Sequence, residues 1–450
     1  MLKTLVLPIG LTTFSALNVG QAQFVMAPES PFVTNAGDLA NGVATGDVNE
    51  DGAADFVITN GDPPGFLRSF LGQGDGTFTA APGSPYSTGD VPNMPDFSDL
   101  RGMKSVVLGD VNDDGHLDAL VTKWSSALPF DLSAPLTAGE LVVFFGDGSG
   151  DFAPLPSIPT GGYGPDALRL ADLDGDGIDD VLIANRASAE DDPQGRVTWL
   201  RGLGGGSYAA AELITLLAGP PLMNFDVLAE DVDGDGMRDV VILDGVGAIR
   251  VLVRDGTSFS EVMGSPFATP LTEGGLLTSA DFDGNGTLDL AAVSYRGATI
   301  ALLLGDGAAG FTASPQLPVS PDATSFGGIG AADVNGDSTP DLILVQGGTN
   351  TAVAVLINDG SASFSPLTDS PYVALLDSLG NLGITDFDGD ARLDLVTLNS
   401  EYASRVVVML NVTPQVDPEP PPPHPGHGTL LDWLRKLLAL LHGHRPGPGH

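Results

Sequence analysis

Seven stretches of the sequence place oxygen-bearing side chains at alternate positions of one nine-residue pattern: Asp, apolar, Asp or Asn, any residue, Asp or Asn, usually Gly, any two residues, Asp. The first three copies are Asp47, Asn49, Asp51 and Asp55; Asp110, Asn112, Asp114 and Asp118; and Asp172, Asp174, Asp176 and Asp180. The fourth and fifth are Asp231, Asp233, Asp235 and Asp239, then Asp281, Asp283, Asn285 and Asp289. The last two are Asp333, Asn335, Asp337 and Asp341, then Asp386, Asp388, Asp390 and Asp394. Alternate oxygens on a tightly turning loop converge on one point, and a backbone carbonyl at position seven completes the oxygen shell of a hard cation. Ca²⁺ is the expected ion, up to seven per chain and structural in role, because Mg²⁺ prefers a smaller octahedron with retained waters and Zn²⁺ prefers nitrogen or sulfur. Without a cation, carboxylates packed this closely raise each other's pKa and loosen the loop.

The copies are not equal. Loops three and four carry four carboxylates and a glycine (Gly177, Gly236) at position six, where the turn needs a positive φ, and are expected to be the best sites. Ser338 and Ala391 replace that glycine in loops six and seven, so weaker binding or altered geometry is expected there. His116, at position seven of loop two, offers only its carbonyl and reads as structural.

An EF-hand needs a bidentate Glu at position twelve, and that position holds Ile58, Val121, Ile183, Ile242, Ala292, Leu344 and Thr397. The flanks are short apolar runs of strand length instead of helices. First positions are 63, 62, 59, 50, 52 and 53 residues apart, which excludes nonapeptide β-helices and marks a long repeat. Each repeat reads as strand, acidic loop, two more strands, a tight glycine hairpin such as Gly74-Asp75-Gly76 or Gly305-Asp306-Gly307, and a fourth strand. The predicted fold is all-β, a seven-bladed β-propeller with four antiparallel strands per blade. Only six such hairpins occur. Phe78, Phe259 and Phe364 are followed six residues later by Ser-Pro-aromatic, and so is Phe24, with no blade ahead of it. Phe24 to Thr34 is therefore expected to supply the outer strand of the seventh blade, pairing with Arg405 to Val412 and closing the ring.

These loops and hairpins, from about Phe24 to Val412, resemble the FG-GAP or VCBS-type repeats of the seven-bladed propeller of integrin α subunits and of many secreted bacterial proteins. A literal Phe-Gly occurs at Phe145-Gly146, Leu-Gly is commoner, and Gly-Ala-Pro never appears, so the likeness is to the broad superfamily. The resemblance implies structural Ca²⁺ in the acidic loops and a propeller that binds proteins or glycans; some relatives are attached to polysaccharide lyases.

Composition narrows the function. The 450 residues carry 58 acidic against 18 basic side chains, a formal charge of −40, which makes nucleic acid a poor partner. With no Cys there is no disulfide, thiol nucleophile or Cys-ligated zinc. Residues 1–22 read as a signal peptide, with Lys3 ahead of an apolar run and small residues at Gly20 and Ala22, so a secreted, extracellular or periplasmic product is expected. Residues 23–413 form the propeller, 414–428 a Pro-rich linker, and 429–450 a short amphipathic helix with a His/Gly/Pro tail. That helix is too short to span a bilayer and is expected to dock on a partner or membrane interface.

In such blades the acidic loops and hairpins share one face. Extra length falls on the other, at Tyr86 to Arg101, Trp124 to Thr137, Arg186 to Gly195 and Glu212 to Phe225. Phe97, Trp124, Phe130 and Tyr163 are its candidate ligand-stacking residues. The expected function is non-catalytic recognition or adhesion toward a surface protein or glycan, with cell-surface association among the expected locations. A carbohydrate-active enzyme, lyase or glycosidase, is the alternative, although no catalytic residue or carboxylate pair stands out.

Overall fold

The computed structural model describes residues 22–33, 40–60, 65–87, 101–125, 138–187, 194–216, 226–256, 258–315, 317–318, 322–348, 351–367, 370–373, 380–398 and 405–413, all within the unit Gly20–Thr413. The expected signal sequence up to residue 21, the linker and the amphipathic tail lie outside them. Every regular element among the described residues is a β-strand, so none is a helix long and apolar enough to cross a membrane.

One strand order recurs. In the fourth repeat Asp226–Glu230, Asp239–Leu243, Ile249–Asp255 and Ser258–Glu261 pair antiparallel in chain order, and the fifth repeats this with Gly275–Ala280, Asp289–Ser294, Ile300–Gly305 and Phe311–Ala313. The second strand is buried at every position in Asp55–Asn60, Asp239–Leu243 and Asp289–Ser294. Burial on both faces explains why these strands read as continuous apolar runs instead of alternating ones. The outer strands bury little: Phe152–Pro154 and Phe311–Ala313 each hide only their phenylalanine.

The seventh repeat takes only three strands from the C-terminal end, Leu382–Thr385, Asp394–Leu398 and Arg405–Asn411. As expected, the beginning of the chain completes it: Phe24 lies opposite Asn411, Met26 opposite Met409 and Phe32 opposite Val406. The Gln23 amide donates to Thr413 Oγ1 at 3.0 Å. All four Ser-Pro bonds singled out by sequence, Ser30-Pro31, Ser84-Pro85, Ser265-Pro266 and Ser370-Pro371, are cis. Each serine Oγ accepts a third-strand amide, from Val408, Ser69, Val251 and Val355, at 2.9 to 3.3 Å.

Two features differ from the sequence reading. Repeats two and three share one eight-stranded sheet, because Ile158–Ala171 also runs alongside Ala138–Gly146, with Ile158 opposite Leu141. Glu212–Leu216, expected as part of a long connection to Phe225, is instead the outer strand of repeat three, paired with Arg196–Leu200. Its half-buried Ile214 packs against the core between repeats three and four, which helps to hold the segment as a strand.

Among the described residues the core is divided into seven apolar clusters, each built from neighbouring repeats. One joins repeats four and five through Val241, Leu243, Leu290 and Leu303, and another joins seven and one through Phe56, Phe70, Phe387 and Val408. The remaining five join one to two, two to three, three to four, five to six and six to seven. First strands touch in the same sequence, and that of the seventh repeat touches both the sixth and the first.

Candidate metal sites in the acidic loops

Each acidic loop is a run of side-chain-capped turns joining the first strand to the second. The aspartate at position one accepts the amide at position six, at 2.9 Å from Gly52, Gly115, Gly177 and Gly236. The position-five side chain accepts the amide at position seven, as in His116 to Asp114 and Ile178 to Asp176 at 2.9 Å. Position six has φ of 84° to 92° in the five loops with glycine, and 71° and 66° at Ser338 and Ala391. Ser338 and Ala391 donate to Asp333 and Asp386 at 2.7 Å, so these two loops keep the common hydrogen bond rather than a different geometry. A Cβ at position six meets nothing within 4 Å in the glycine loops, which leaves backbone conformation as the whole penalty. Ala391→Gly is therefore expected to raise stability by about 0.5–1 kcal/mol, read from urea midpoints at constant Ca²⁺.

Position four was read as any residue, yet it also takes a left-handed φ: 59° at Glu50, 61° at Asp113, and 72° to 79° at Gly175, Gly234, Gly284, Gly336 and Gly389. Glycine in five of seven copies was the signal for this. The apolar residue at position two is buried in every loop. Val48, Val111, Leu173, Val232, Phe282, Val334 and Phe387 each enter the cluster shared with the following repeat. The carbonyls of Val111, Val232, Phe282 and Phe387 accept amides from the next repeat's hairpin, at Gly206, Ala309, Ala362 and Gly76. Acidic loops and hairpins thus share a face, and each loop is a joint between neighbours.

The aspartate at position nine opens the second strand and is fully buried in all seven copies. One oxygen accepts the amide at position two, as from Val232 to Asp239 at 3.1 Å; the other accepts a third-strand amide, as from Arg254 at 2.8 Å. Burial pushes Asp55, Asp118, Asp239 and Asp394 up to about 6 and Asp341 up to about 7, against the lowering effect of these amides. In the metal-free protein the native state then holds protons that the unfolded chain releases near pH 4. The contribution of these groups is full below that pH and lost as pH rises through 6 to 7. Urea midpoints of chelated, dialysed protein are expected to fall from pH 5 to 7.5, and with saturating Ca²⁺, which holds the carboxylates ionised, this fall should disappear.

Three carboxylate oxygens lie within 4.8 Å of one another in loops three, four, five and seven: Asp172, Asp174 and Asp180; Asp231, Asp233 and Asp239; Asp281, Asp283 and Asp289; Asp386, Asp388 and Asp394. In loops one, two and six the third residue is asparagine, whose Nδ2 donates to the position-five carboxylate, Asp51, Asp114 or Asp337, at 2.8 to 3.0 Å. Guanidinium groups also reach these loops: Arg201 Nε lies 3.1 Å from Asp174, and Arg392 pairs with Asp390 inside loop seven. Asp388 Oδ1 is buried without a hydrogen-bond partner. An all-oxygen, multiply anionic cluster with an unsatisfied buried oxygen suits a divalent cation of the Ca²⁺ type.

Of the candidate aromatics, Phe97 and Phe130 lie outside the described residues. Trp124 has its backbone opposite Gly102, and Tyr163 is half-buried in a strand opposite Ala187 and Ala138. Three of the long connections, at 88–100, 126–137 and 188–193, also lie largely outside.

Stretches 47–121, 132–183, 172–242, 231–292, 281–344 and 333–397 match the family described as FG-GAP-like repeat. Five of the six begin on the first aspartate of an acidic loop, and all end in the second strand after the next one. The chain belongs to the FG-GAP-like repeat family. No curated protein gives a significant match. The FG-GAP-like unit is thus matched from loop to loop, which makes the acidic loop both its boundary and the joint between units.

Proposed function

We propose that this FG-GAP-like chain is a secreted, Ca²⁺-stabilised seven-bladed β-propeller that works as a non-catalytic recognition or adhesion module for a surface protein or glycan. The observation that carries it is the cyclic set of seven inter-repeat clusters, each plugged by the apolar residue of an acidic loop. A ring fastened on one face by metal loops is a rigid scaffold, and its opposite face carries the connections of variable length where binding residues concentrate. The 28 residues of the acidic pattern are the proposed Ca²⁺ ligands, with the best-gathered carboxylates in loops three, four, five and seven.

The test is a glycan array and a surface-protein capture with full-length protein in Ca²⁺, with Trp124→Ala as the first variant. Selective binding weakened by that change, without reducing ends or unsaturated products from a polysaccharide panel, supports the reading. Turnover of a polysaccharide replaces it with an enzyme.

A further inference from the structure

We infer that the cavity bordered by the first strands of all seven repeats binds a single neutral sugar residue; the inference rests on the recognition reading and names the site for its glycan branch. The cavity has a volume of about 290 Å³, and every repeat contributes to its wall. That space takes at least one hexose-sized ring. Apart from Tyr295, which follows the second strand of repeat five, its wall residues precede the first aspartate of each acidic loop by three to seven positions, so the cavity sits toward the end of the strands away from the metal loops.

Most repeats present apolar residues here, such as Val43, Val106, Leu277 and Ile329. Repeats three and four instead bring ions. Arg186 grips Asp166 through Nε and Nη2, both at 2.7 Å, and Arg169 Nη2 meets Asp226 Oδ1 at 2.9 Å. Asp226 also accepts the Leu277 amide of repeat five at 2.9 Å. Buried ion pairs are seldom more stabilising than the apolar residues that fill the same place elsewhere in this wall, so their presence calls for another use.

Asp166, Arg169 and Asp226 line the cavity, and Arg186, bonded to Asp166 from outside the wall, balances their charge. A free anion would face Asp166 and Asp226, and a free cation Arg169, whereas hydroxyl groups that both donate and accept fit carboxylate and guanidinium together. The Ser105 and Asn381 side chains enter no hydrogen bond among the described residues and add further donors and acceptors. Tyr295, 38 % exposed at the wall, offers a ring face for the C–H side of a sugar.

The experiment is calorimetry and ligand-observed NMR on the full chain in Ca²⁺ with neutral hexoses, deoxyhexoses, N-acetylhexosamines, uronic acids and small dicarboxylates. One neutral sugar should bind, and Asn381→Ala and Tyr295→Ala should each weaken it about five- to tenfold at unchanged Tm. Ser105→Phe should abolish binding by filling the space; should that variant not fold, the other two decide. Preference for an acid, no binding by any sugar, or binding unmoved by these variants overturns the site. A glycan or protein captured equally by wild type and all three variants would leave the recognition reading standing while removing the cavity from it, whereas no capture of anything by wild type would remove the reading itself.

Discussion

Stripping divalent cations is expected to lower the Tm of this protein by on the order of 10 °C or more. Each site occupied at a hundredfold excess over its Kd stabilises the folded state by about 2.7 kcal/mol, and the four carboxylate-rich loops act together. In a domain of this size, with about 2.1 cal/mol/K of unfolding entropy per residue, each kcal/mol moves Tm by about 1 °C. The acidic loops also hold the apolar plugs between repeats, so the loss should appear as reduced cooperativity as well as a lower midpoint. Scanning calorimetry across a Ca²⁺ titration, with Mg²⁺ as control, reads both. An unchanged Tm after chelation would rule out structural calcium.

Asp239→Ala is expected to destabilise by about 3–5 kcal/mol whether or not Ca²⁺ is present. It removes a ligand, but it also strands the buried amides of Val232 and Arg254, each bonded to one carboxylate oxygen. Asp233→Ala, in the same loop, loses a ligand oxygen and one exposed hydrogen bond from the Asp235 amide, so most of its effect should vanish once ions are removed. Urea unfolding of both variants with and without Ca²⁺ separates the two roles. Equal behaviour would mean that position nine is no more than a metal ligand.

Much of this was legible because it is local. The spacing of aspartates, the glycine hairpins and the Phe24 to Phe32 segment each carry their own pattern, and the last of these lies on Arg405–Asn411 as its repeat signature implies. What stayed hidden depends on residues far apart in sequence. Nothing local marks Asp239 as bound to the Arg254 amide of another strand, or Arg169 as the partner of Asp226, 57 residues away. The left-handed turn at position four was legible in principle, but Glu50 and Asp113 masked the glycine preference. The Glu212 segment was misread because its strand is short and lies beside a long connection.

The seventh repeat also fixes an order of events during synthesis. Its outer strand is made first, yet the register from Phe24 to Asn411 and the bond from Gln23 to Thr413 require the last residues of the unit. Six repeats can emerge and assemble while this early segment waits, and loop-closure entropy, which grows only slowly with length, sets a modest penalty for the delay. A polypeptide halted before Arg405 would retain an unpaired strand at each end, an adhesive species that proofreading by proteases could recognise.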